Sequence, residues 1–302
     1  MKVLVTGGAG FIGSHTVDKL IDEGHEVIVV DNLSTGKIEN VNKKAEFYNE
    51  DIRDESICNI FESERPEYVL HLASHSDPSK ASKFPVDDSQ ISINGTINLL
   101  ECCIRNHVKK IVYASSIAVY GNPAKLPICE VDEKSPINHY GLSKLAAESY
   151  IRLYSRLYGM NYTILRYSNV YGERDQLKED TGAIPIFINK LLSKDNPRIY
   201  NDGSETRDYV YIKDVVEANR LSISMGENEE FNIGSGSQLK TMELYNIIAN
   251  MIGLRSRKVF DKTSIHSIQH IVVNINKAKK LLGWIPKYSI VDGLINTIDY
   301  YK

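Results

Sequence analysis

The chain begins with a strand pattern, a glycine-rich turn and a helix pattern in direct succession. Val3–Val5 predicts a buried strand, Gly7, Gly10 and Gly13 fall in the turn, and an amphipathic helix pattern starts at Phe11. Glycine at these positions lets the backbone turn tightly and approach a diphosphate, and a helix N-terminus offers free N–H donors with a partial positive charge. This order predicts a dinucleotide-binding turn, and the alternative is a merely structural glycine turn.

Strand and helix patterns alternate through the first half of the sequence. The predicted strands are Val3–Val5, Val27–Val30, Tyr68–Leu72 and Ile111–Ala114. The predicted helices between and after them are Phe11–Glu23, Asp54–Glu64, Pro85–Asn106 and Tyr140–Tyr158. Near-continuous apolar strands suit a parallel sheet that is covered on both faces. The alternation therefore predicts the α/β class, with a doubly wound parallel sheet of the Rossmann type.

After about Arg166 the alternation becomes irregular, which predicts a second, smaller α/β region. Predicted strands lie near Arg198–Tyr200, Tyr209–Ile212 and Phe231–Ile233. Predicted helices follow at Ala183–Leu192, Asp214–Ser224, Met242–Met251, Lys277–Leu282 and Val291–Tyr300. We expect residues 1–166 to form the dinucleotide-binding domain, rejoined by about 208–235, and residues 167–302 to bind the substrate.

Composition excludes several function classes. The 302 residues carry a formal net charge of −3 and a pI near 6.3, which provide no broad cationic field for nucleic acid or an anionic membrane. No apolar stretch approaches membrane-spanning length, and the first residues already predict a strand rather than a signal peptide. The four cysteines show no metal-binding spacing, so we expect reduced thiols, no metal site and a cytoplasmic location.

Asp31 stands at the end of the second predicted strand. A carboxylate there can accept hydrogen bonds from the adenosine ribose hydroxyls and would repel a 2′-phosphate, which favours NAD over NADP. The alternative is that Asp31 and Asn32 simply form a turn. Lys37 could screen a 2′-phosphate, so the preference for NAD is not absolute.

Tyr140 and Lys144 are spaced i and i+4, which makes them neighbours on one helix face. A phenol is a weak base at neutral pH, and an adjacent ammonium favours the phenolate, so that the pair can take and return an alcohol proton. Ser115 and Ser116 end the preceding strand, at the carboxyl edge where ligands of such sheets bind. This arrangement predicts catalysis, although Tyr-x-x-x-Lys alone is a frequent accident on helices.

These motifs together resemble the extended short-chain dehydrogenase/reductase family, and within it the nucleotide-sugar epimerases of the UDP-glucose 4-epimerase type. The resemblance runs almost from end to end, through Thr6–Gly13, Asp31–Gly36, Asp51–Asp54, His71–Ala73, Ser115–Gly121, Arg166–Gly172, Thr206–Val210 and Leu281–Pro286. It implies NAD as the cofactor, held by Gly7, Gly10, Phe11, Ile12, Gly13, Asp31, Asn32, Leu33, Ser34, Thr35, Gly36, Asp51, Ile52, Leu72, Ala73, Ser74, Tyr140, Lys144 and Ser168. It also implies a homodimer formed through the helices at Pro85–Asn106 and Tyr140–Tyr158.

The resemblance implies a mechanism as well. Tyr140, tuned by Lys144 and sharing a hydrogen bond with Ser116, would remove the C4 hydroxyl proton of a nucleotide-diphosphate sugar, most simply a UDP-sugar. The C4 hydride would pass to NAD⁺, and the 4-keto sugar would turn over and receive the hydride on its other face. Asn169 and Arg207 would hold the diphosphate, since guanidinium suits phosphate geometry. For Arg207 the alternative is a surface salt bridge with Asp208.

The substrate half departs from the family pattern. An arginine and an acidic residue usually stand where this chain has Ser264 and Ser267, and either Lys258, Lys262 or His266 compensates or the substrate has changed. His75 stands where the family more often has Gln, Ala81 replaces a sugar-contacting Ser, and Ser92 replaces an Asn. A lone histidine after a strand, such as His75, is more often a hydrogen-bonded structural group than an acid or base.

Two alternative functions stay open. A 4-reductase, decarboxylase or dehydratase would use a similar substrate, and Ile117–Ala118 counts against dehydration because dehydratases of the family carry Asp-Glu there. A non-catalytic NAD-binding protein is less favoured, because it has no reason to keep Ser116, Tyr140 and Lys144.

Overall fold

Short β-branched runs form a parallel sheet in the computed structural model, which describes residues 1–75, 78–175, 182–200, 202–254, 259–261 and 268–302. The described part of the chain contains the strands β1 (Lys2–Thr6), β2 (Glu26–Val30), β3 (Glu46–Tyr48), β4 (Tyr68–His71), β5 (Lys110–Ser116), β6 (Asn161–Tyr167), β7 (Asn169–Tyr171), β8 (Arg198–Tyr200), β9 (Thr206–Arg207), β10 (Tyr209–Tyr211), β11 (Glu229–Ile233), β12 (Leu239–Lys240) and β13 (Val259–Asp261). Its helices are α1 (Phe11–Asp22), α2 (Ile57–Glu64), α3 (Pro78–Lys83), α4 (Pro85–Ser89), α5 (Gly95–Arg105), α6 (His139–Tyr158), α7 (Ala183–Leu192), α8 (Ile212–Ser224), α9 (Thr241–Ile252) and α10 (Ile290–Tyr301).

The main sheet has the order β11-β6-β5-β4-β1-β2-β3 within the described residues, and each neighbouring pair is parallel. Side chains alternate across it, so that Leu4 packs on α2, α5 and α6, whereas Val3 and Val5 pack on α1 and α8. Helices on both faces confirm the predicted doubly wound α/β fold. The sheet order reverses at β1, between β2 and β4, and this switch point opens a crevice at the carboxyl ends of the strands.

The chain leaves the main sheet after β6 and returns to it. β7 and β10 pair outside the sheet, α8 packs on α1, and β11 then pairs with the edge strand β6. A separate apolar cluster joins α7, α9 and α10 to this outer region. The exact domain boundaries near 166, 208 and 235 stay a prediction.

The helix predicted over Pro85–Asn106 is interrupted. α4 and α5 are separated by a π-helical turn over Gln90–Asn94, so the axis continues with one looser turn. The helix predicted at Lys277–Leu282 is likewise a π-helical turn over Ala278–Leu282. Within the described residues, no helix combines the length and apolar character needed to cross a bilayer.

The expectation that all cysteines are reduced thiols is wrong for one pair. Cys58 on α2 and Cys102 on α5 are joined by a disulfide, with their Cα atoms 5.1 Å apart, whereas Cys103 and Cys129 are free. Spacing along the chain gave no sign of this pair, because packing of α2 against α5 brings together residues that are 44 positions apart.

A buried ion pair ties α6 to β6. Arg166 is only 1% exposed, and its guanidinium donates to both carboxylate oxygens of Glu148 at 2.9 and 2.8 Å. Ser115 donates to the same carboxylate at 2.6 Å, and Arg152 approaches it from the surface side. This network fixes the helix that carries Tyr140 and Lys144 against the strand ends.

We expect Arg166→Met to lower the free energy of unfolding by about 3 kcal/mol, because it leaves the Glu148 carboxylate buried without its bidentate partner. Urea denaturation measures this loss. Arg156→Met, an exposed arginine on α6 outside the pair, is the matched control and should change stability by less than about 0.5 kcal/mol. Equal stability of the two variants would contradict the assignment.

Candidate functional site

A cleft of about 450 Å³ lies at the carboxyl ends of β1, β2, β4 and β5. Most residues predicted to hold the cofactor line it, namely Gly7, Gly10, Phe11, Ile12, Gly13, Asp31, Asn32, Ser34, Thr35, Asp51, Ile52, Leu72, Ala73, Ser74, Tyr140 and Lys144. The fold therefore brings residues from five separate sequence segments to one crevice, in the size range of small-molecule sites.

The glycine turn leaves space that a side chain would fill. A Cβ on Gly13 would lie 2.0 Å from the Gly7 carbonyl oxygen, and Gly7 has a φ of +72° with the Ala73 backbone 2.7 Å from its would-be Cβ. Gly10 precedes α1 and makes no side-chain cap, so the helix N-terminus is open toward the cleft. A close backbone approach and uncapped N–H donors are what the diphosphate of NAD requires, and the residues present fit that cofactor.

Asp31 is buried at the end of β2 and connects the glycine turn to the following loop. Its Oδ2 accepts a hydrogen bond from the Ala9 N–H at 2.9 Å, and its Oδ1 accepts one from the Leu33 N–H at 2.8 Å. The second contact is the turn that was weighed as the alternative role of Asp31, and it coexists with a position on the cleft wall. Burial raises the pKa of Asp31, while both backbone hydrogen bonds lower it.

An ion pair between Arg53 and Asp51 lies on the wall of the cleft. Arg53 donates from Nε and Nη2 to the two carboxylate oxygens of Asp51 at 2.9 and 2.8 Å. Hydrogen bonding from Arg53 lowers the pKa of Asp51 to about 2, so the carboxylate stays ionised. Asp51 in turn accepts from Asn32 Nδ2 at 2.7 Å, and the Asn32 oxygen accepts from the Ser34 N–H. The loops that carry Asn32 and Asp51, both predicted to hold the cofactor, are thereby held together.

A neutral histidine supports the cleft floor. His71 ends β4, with Nδ1 2.9 Å from the Thr6 hydroxyl and Nε2 2.9 Å from the Thr96 hydroxyl. Thr96 donates to the Ser92 carbonyl, so it accepts from His71 Nε2–H, and Thr6 donates to Nδ1. Burial, with a smaller contribution from Lys144, lowers the pKa of His71 to about 3.

His71 makes stability fall in acid. Its folded pKa lies below the unfolded value of about 6.5, so between pH 6.5 and about 3 the unfolded chain binds a proton that the folded chain does not. In wild type we expect this residue to remove about 2 kcal/mol of unfolding free energy between pH 7.5 and 5.0. Denaturant titrations at both pH values give the free energy of unfolding, and its change between them should be smaller in His71→Gln than in wild type. The exposed His139 serves as control, because His139→Gln should leave the wild-type difference intact.

The predicted catalytic pair lies at the inner end of the cleft, on the first turns of α6. The Asn138 side chain caps this helix by accepting the Gly141 N–H at 2.8 Å. Lys144 is buried, and its Nζ donates to Ser74 Oγ at 2.9 Å and to the Ala114 carbonyl at 2.7 Å. The ammonium lies 5.8 Å from the ring centroid of Tyr140.

Ser116 lies close enough to Tyr140 to lower the pKa of its phenol, so the structure brings together the three residues predicted to act on the substrate hydroxyl. Burial raises the pKa of Tyr140 to about 12, the Ser116 hydrogen bond lowers it, and Asp88 raises it. Burial lowers the pKa of Lys144 to about 8, against Asp88 and Glu148, which raise it. The pair therefore consists of a phenol that is hard to ionise and a lysine with a pKa of about 8.

Several predicted residues lie beside the cleft rather than on its wall. Gly36 packs against Ala9 and Asp31, and the Leu33 backbone bonds Asp31. Ser168 donates from Oγ to the Asp208 carbonyl at 2.6 Å, so this side chain is used within the fold. The role predicted for Ser168 in cofactor binding stays a prediction.

Asn169 and Arg207, the two residues predicted to hold the diphosphate, lie on β7 and β9. Asn169 Oδ1 is buried and has no hydrogen-bond partner among the described residues. The Arg207 guanidinium donates from Nη1 to the carbonyls of Thr206 and Gln269 at 2.9 and 3.3 Å. The Asp208 carboxylate is fully buried and instead accepts backbone N–H groups, including that of Ser235, so the surface salt bridge weighed for Arg207 is not formed.

His75, which the sequence analysis weighed as a structural group or an acid or base, lines the same cleft. Sequence reasoning missed Asp87, which also lines it, and Asp88, which lies behind His75. Asp87 and Asp88 sit in an ordinary helix pattern, where no motif distinguishes them from solvent-facing acids. The stretch Thr263–Ser267 with Ser264 and Ser267, and also Lys258, Lys262, Ser76 and Asp77, lies outside the described residues.

Comparison with known proteins agrees with this geometry. The profile of the NAD dependent epimerase/dehydratase family matches residues 3–234. A putative UDP-glucose 4-epimerase of Methanocaldococcus jannaschii is 45% identical, covering 99% of this chain and 98% of that protein.

Solved structures extend the similarity to the fold. A UDP-glucose 4-epimerase of Thermotoga maritima, crystallised with UDP-glucose, superposes with a TM-score of 0.98 at 42% identity, covering 100% of this chain and 98% of that one. A Thermus thermophilus UDP-glucose 4-epimerase in complex with NAD has a TM-score of 0.95 at 35% identity, with 100% and 99% coverage.

Proposed function

The chain belongs to the NAD-dependent epimerase/dehydratase family, and on that premise we propose that it is an NAD-dependent nucleotide-sugar 4-epimerase of the UDP-glucose/UDP-galactose type. The observation that carries the proposal is the position of Tyr140 and Lys144 together on the wall of the dinucleotide cleft, with Ser116 next to the Tyr140 phenol. A binding protein has no use for a half-buried phenol beside an ammonium.

In the proposed reaction the pair handles one proton. Tyr140 removes the proton of the C4 hydroxyl, and Ser116 shares the hydrogen bond to the reacting oxygen. Lys144 holds a positive charge beside the phenol, and Ser74 and the Ala114 carbonyl keep it there. NAD, when bound, accepts the C4 hydride reversibly and adds a cationic ring that favours the phenolate. In the second half-reaction the hydride would return to the other face of C4 and Tyr140 would return the proton, so the net redox change is zero.

Asn169 and Arg207 would anchor the diphosphate while the sugar turns. The orphaned end of the Asn169 amide can present either its oxygen or its NH₂ group after an amide flip, so it can donate to an anion. Arg207 is fixed through Nη1 and has further donors in its planar fork for phosphate oxygens. A UDP-sugar is the substrate class that this anchoring and the sequence relatives favour.

The test is incubation of the purified protein with UDP-, dTDP- and GDP-sugars, followed by NMR detection of C4 inversion. We expect inversion of a UDP-hexose with no accumulation of NADH and no need for added NAD(P)H. Accumulation of NADH, consumption of NADPH or loss of CO₂ would instead establish a reductase or decarboxylase.

A homodimer through α6 is part of the proposal. Leu153 and Leu157 are 41% and 60% exposed on this helix, and Tyr150 and Tyr158 continue the same apolar surface. Leu157→Lys should convert a dimer to a monomer in sedimentation velocity. Val291→Lys, which places the same charge on exposed α10, should leave the dimer intact.

We place the enzyme in the cytoplasm, where its proposed cofactor and substrates occur. The Cys58–Cys102 disulfide does not follow from that location, because reducing compartments keep most thiols free. Thiol counting on the protein isolated under alkylating conditions shows which state the cell maintains.

A further inference from the structure

Asp88 is a buried carboxylate behind the catalytic pair, and the proposed mechanism does not use it. It is 0% exposed on the short helix α4. Its Oδ2 accepts a hydrogen bond from Ser143 Oγ at 2.6 Å. Its Oδ1 has no hydrogen-bond partner among the described residues. A buried carboxylate with half of its acceptor capacity unused is costly unless its charge serves a neighbour.

The other buried carboxylate nearby cannot serve in the same way. Glu148 is engaged by Arg166 through two hydrogen bonds and by Arg152 at 3.1 Å, so its charge is already compensated. Asp88 has no arginine or lysine within ion-pair distance among the described contacts. The field of Asp88 acts on both Lys144 and Tyr140, whereas Glu148 contributes at Lys144.

Asp88 also bridges the two segments that hold the Lys144 ammonium. Ser143, its hydrogen-bond donor, directly precedes Lys144 on α6. His75, whose Nδ1 lies 3.6 Å from Asp88 Oδ1, directly follows Ser74, which accepts the Lys144 hydrogen bond. One carboxylate thus contacts the neighbours of both partners in that hydrogen bond.

We propose that Asp88 is a positioning residue that sets the proton affinity of the Tyr140–Lys144 pair and fixes Lys144 against Ser74. The proposal deepens the proposed epimerase function and rests on it. The groups that face the pair are His71, Tyr113, Asp88 and Glu148. Removing the negative charge of Asp88 lowers the pKa of both Tyr140 and Lys144, because a neighbouring anion favours the protonated form of each group.

The test compares pH profiles of kcat for the NAD-loaded wild type and Asp88→Asn, each normalised to its own maximum. We expect both limbs to move to lower pH by about one unit in the variant. Relative activity would then fall about tenfold on the alkaline limb and rise by the same factor on the acidic limb. A purely structural role would lower kcat or NAD content and leave both limbs in place.

Ser143→Ala is the matched control, because it removes the hydrogen bond and keeps the charge. Its kcat should fall while its limbs stay within about 0.3 pH unit of wild type. If Asp88→Asn does not fold, Asp88→Ser tests the same loss of charge with a smaller side chain. Unmoved limbs in the folded neutral variant overturn the proposal.

A second measurement needs no substrate. The phenolate absorbance of Tyr140 is followed against pH in NAD-loaded protein, as the difference from Tyr140→Phe in each background. We expect ionisation at lower pH in Asp88→Asn than in wild type. If no sugar is epimerised but this shift is found, the proposed function fails and the role of Asp88 stands. If a sugar is epimerised but the shift is not found, the proposed function stands and the role of Asp88 fails.

Discussion

Replacing Tyr140 by phenylalanine is expected to lower kcat for the nucleotide sugar by about a thousandfold or more while NAD stays bound. The variant loses only the phenol hydroxyl and keeps the ring beside the Lys144 ammonium. Tyr140 is one of many residues predicted to hold NAD, and the glycine turn expected to bind the diphosphate is untouched, so cofactor content should be unchanged. Turnover by NMR and bound NAD after denaturation measure the two quantities.

Tyr158→Phe is the matched control for this result. Tyr158 ends the same helix, on the surface proposed for the dimer and outside the residues that line the cleft, so loss of its hydroxyl should leave kcat within about twofold of wild type. If Tyr140→Phe keeps most of its activity, Tyr140 does not transfer the proton. If it loses NAD together with activity, the hydroxyl has a structural role instead.

Gly13→Ala is expected to weaken NAD binding by at least about a thousandfold, equivalent to about 4 kcal/mol. The added Cβ would lie 2.0 Å from the Gly7 carbonyl oxygen, and backbone must move to relieve the overlap. That movement displaces the uncapped start of α1, which is the donor surface for the diphosphate. Isothermal titration of protein freed of cofactor gives the affinity.

Gly24→Ala separates this effect from the general cost of replacing glycine. Gly24 has a φ of +80° and no atom within 4 Å of the added Cβ, so the substitution strains the backbone without a clash. We expect it to lower stability by about 1 kcal/mol and to leave NAD affinity unchanged. Normal NAD affinity in Gly13→Ala would contradict the placement of the diphosphate.

Local sequence patterns predicted the cofactor half of the protein because its chemistry depends on short-range geometry. The glycines of the first turn, Asp31 at the end of β2 and the i, i+4 pair on α6 each lie within one element or one connection. Once parallel strands are predicted, their carboxyl ends must meet at one edge, so the cleft follows from the alternation itself. β3 was missed because it is only three residues long and begins with the exposed Glu46, so it carries no apolar run.

Contacts between distant segments could not be predicted in the same way. Arg166 and Glu148 stand in ordinary strand and helix patterns, and only the packing of α6 on β6 shows that they form a buried pair. Cys58 and Cys102 meet for the same reason, across α2 and α5. The sequence by itself determined the fold class, the glycine turn and the tyrosine–lysine pair, because each is specified by spacing along one chain segment. The tertiary structure alone decided which buried charges are compensated, and thereby that Asp88 faces the catalytic pair, because burial and electrostatic partners depend on neighbours that sequence order does not reveal.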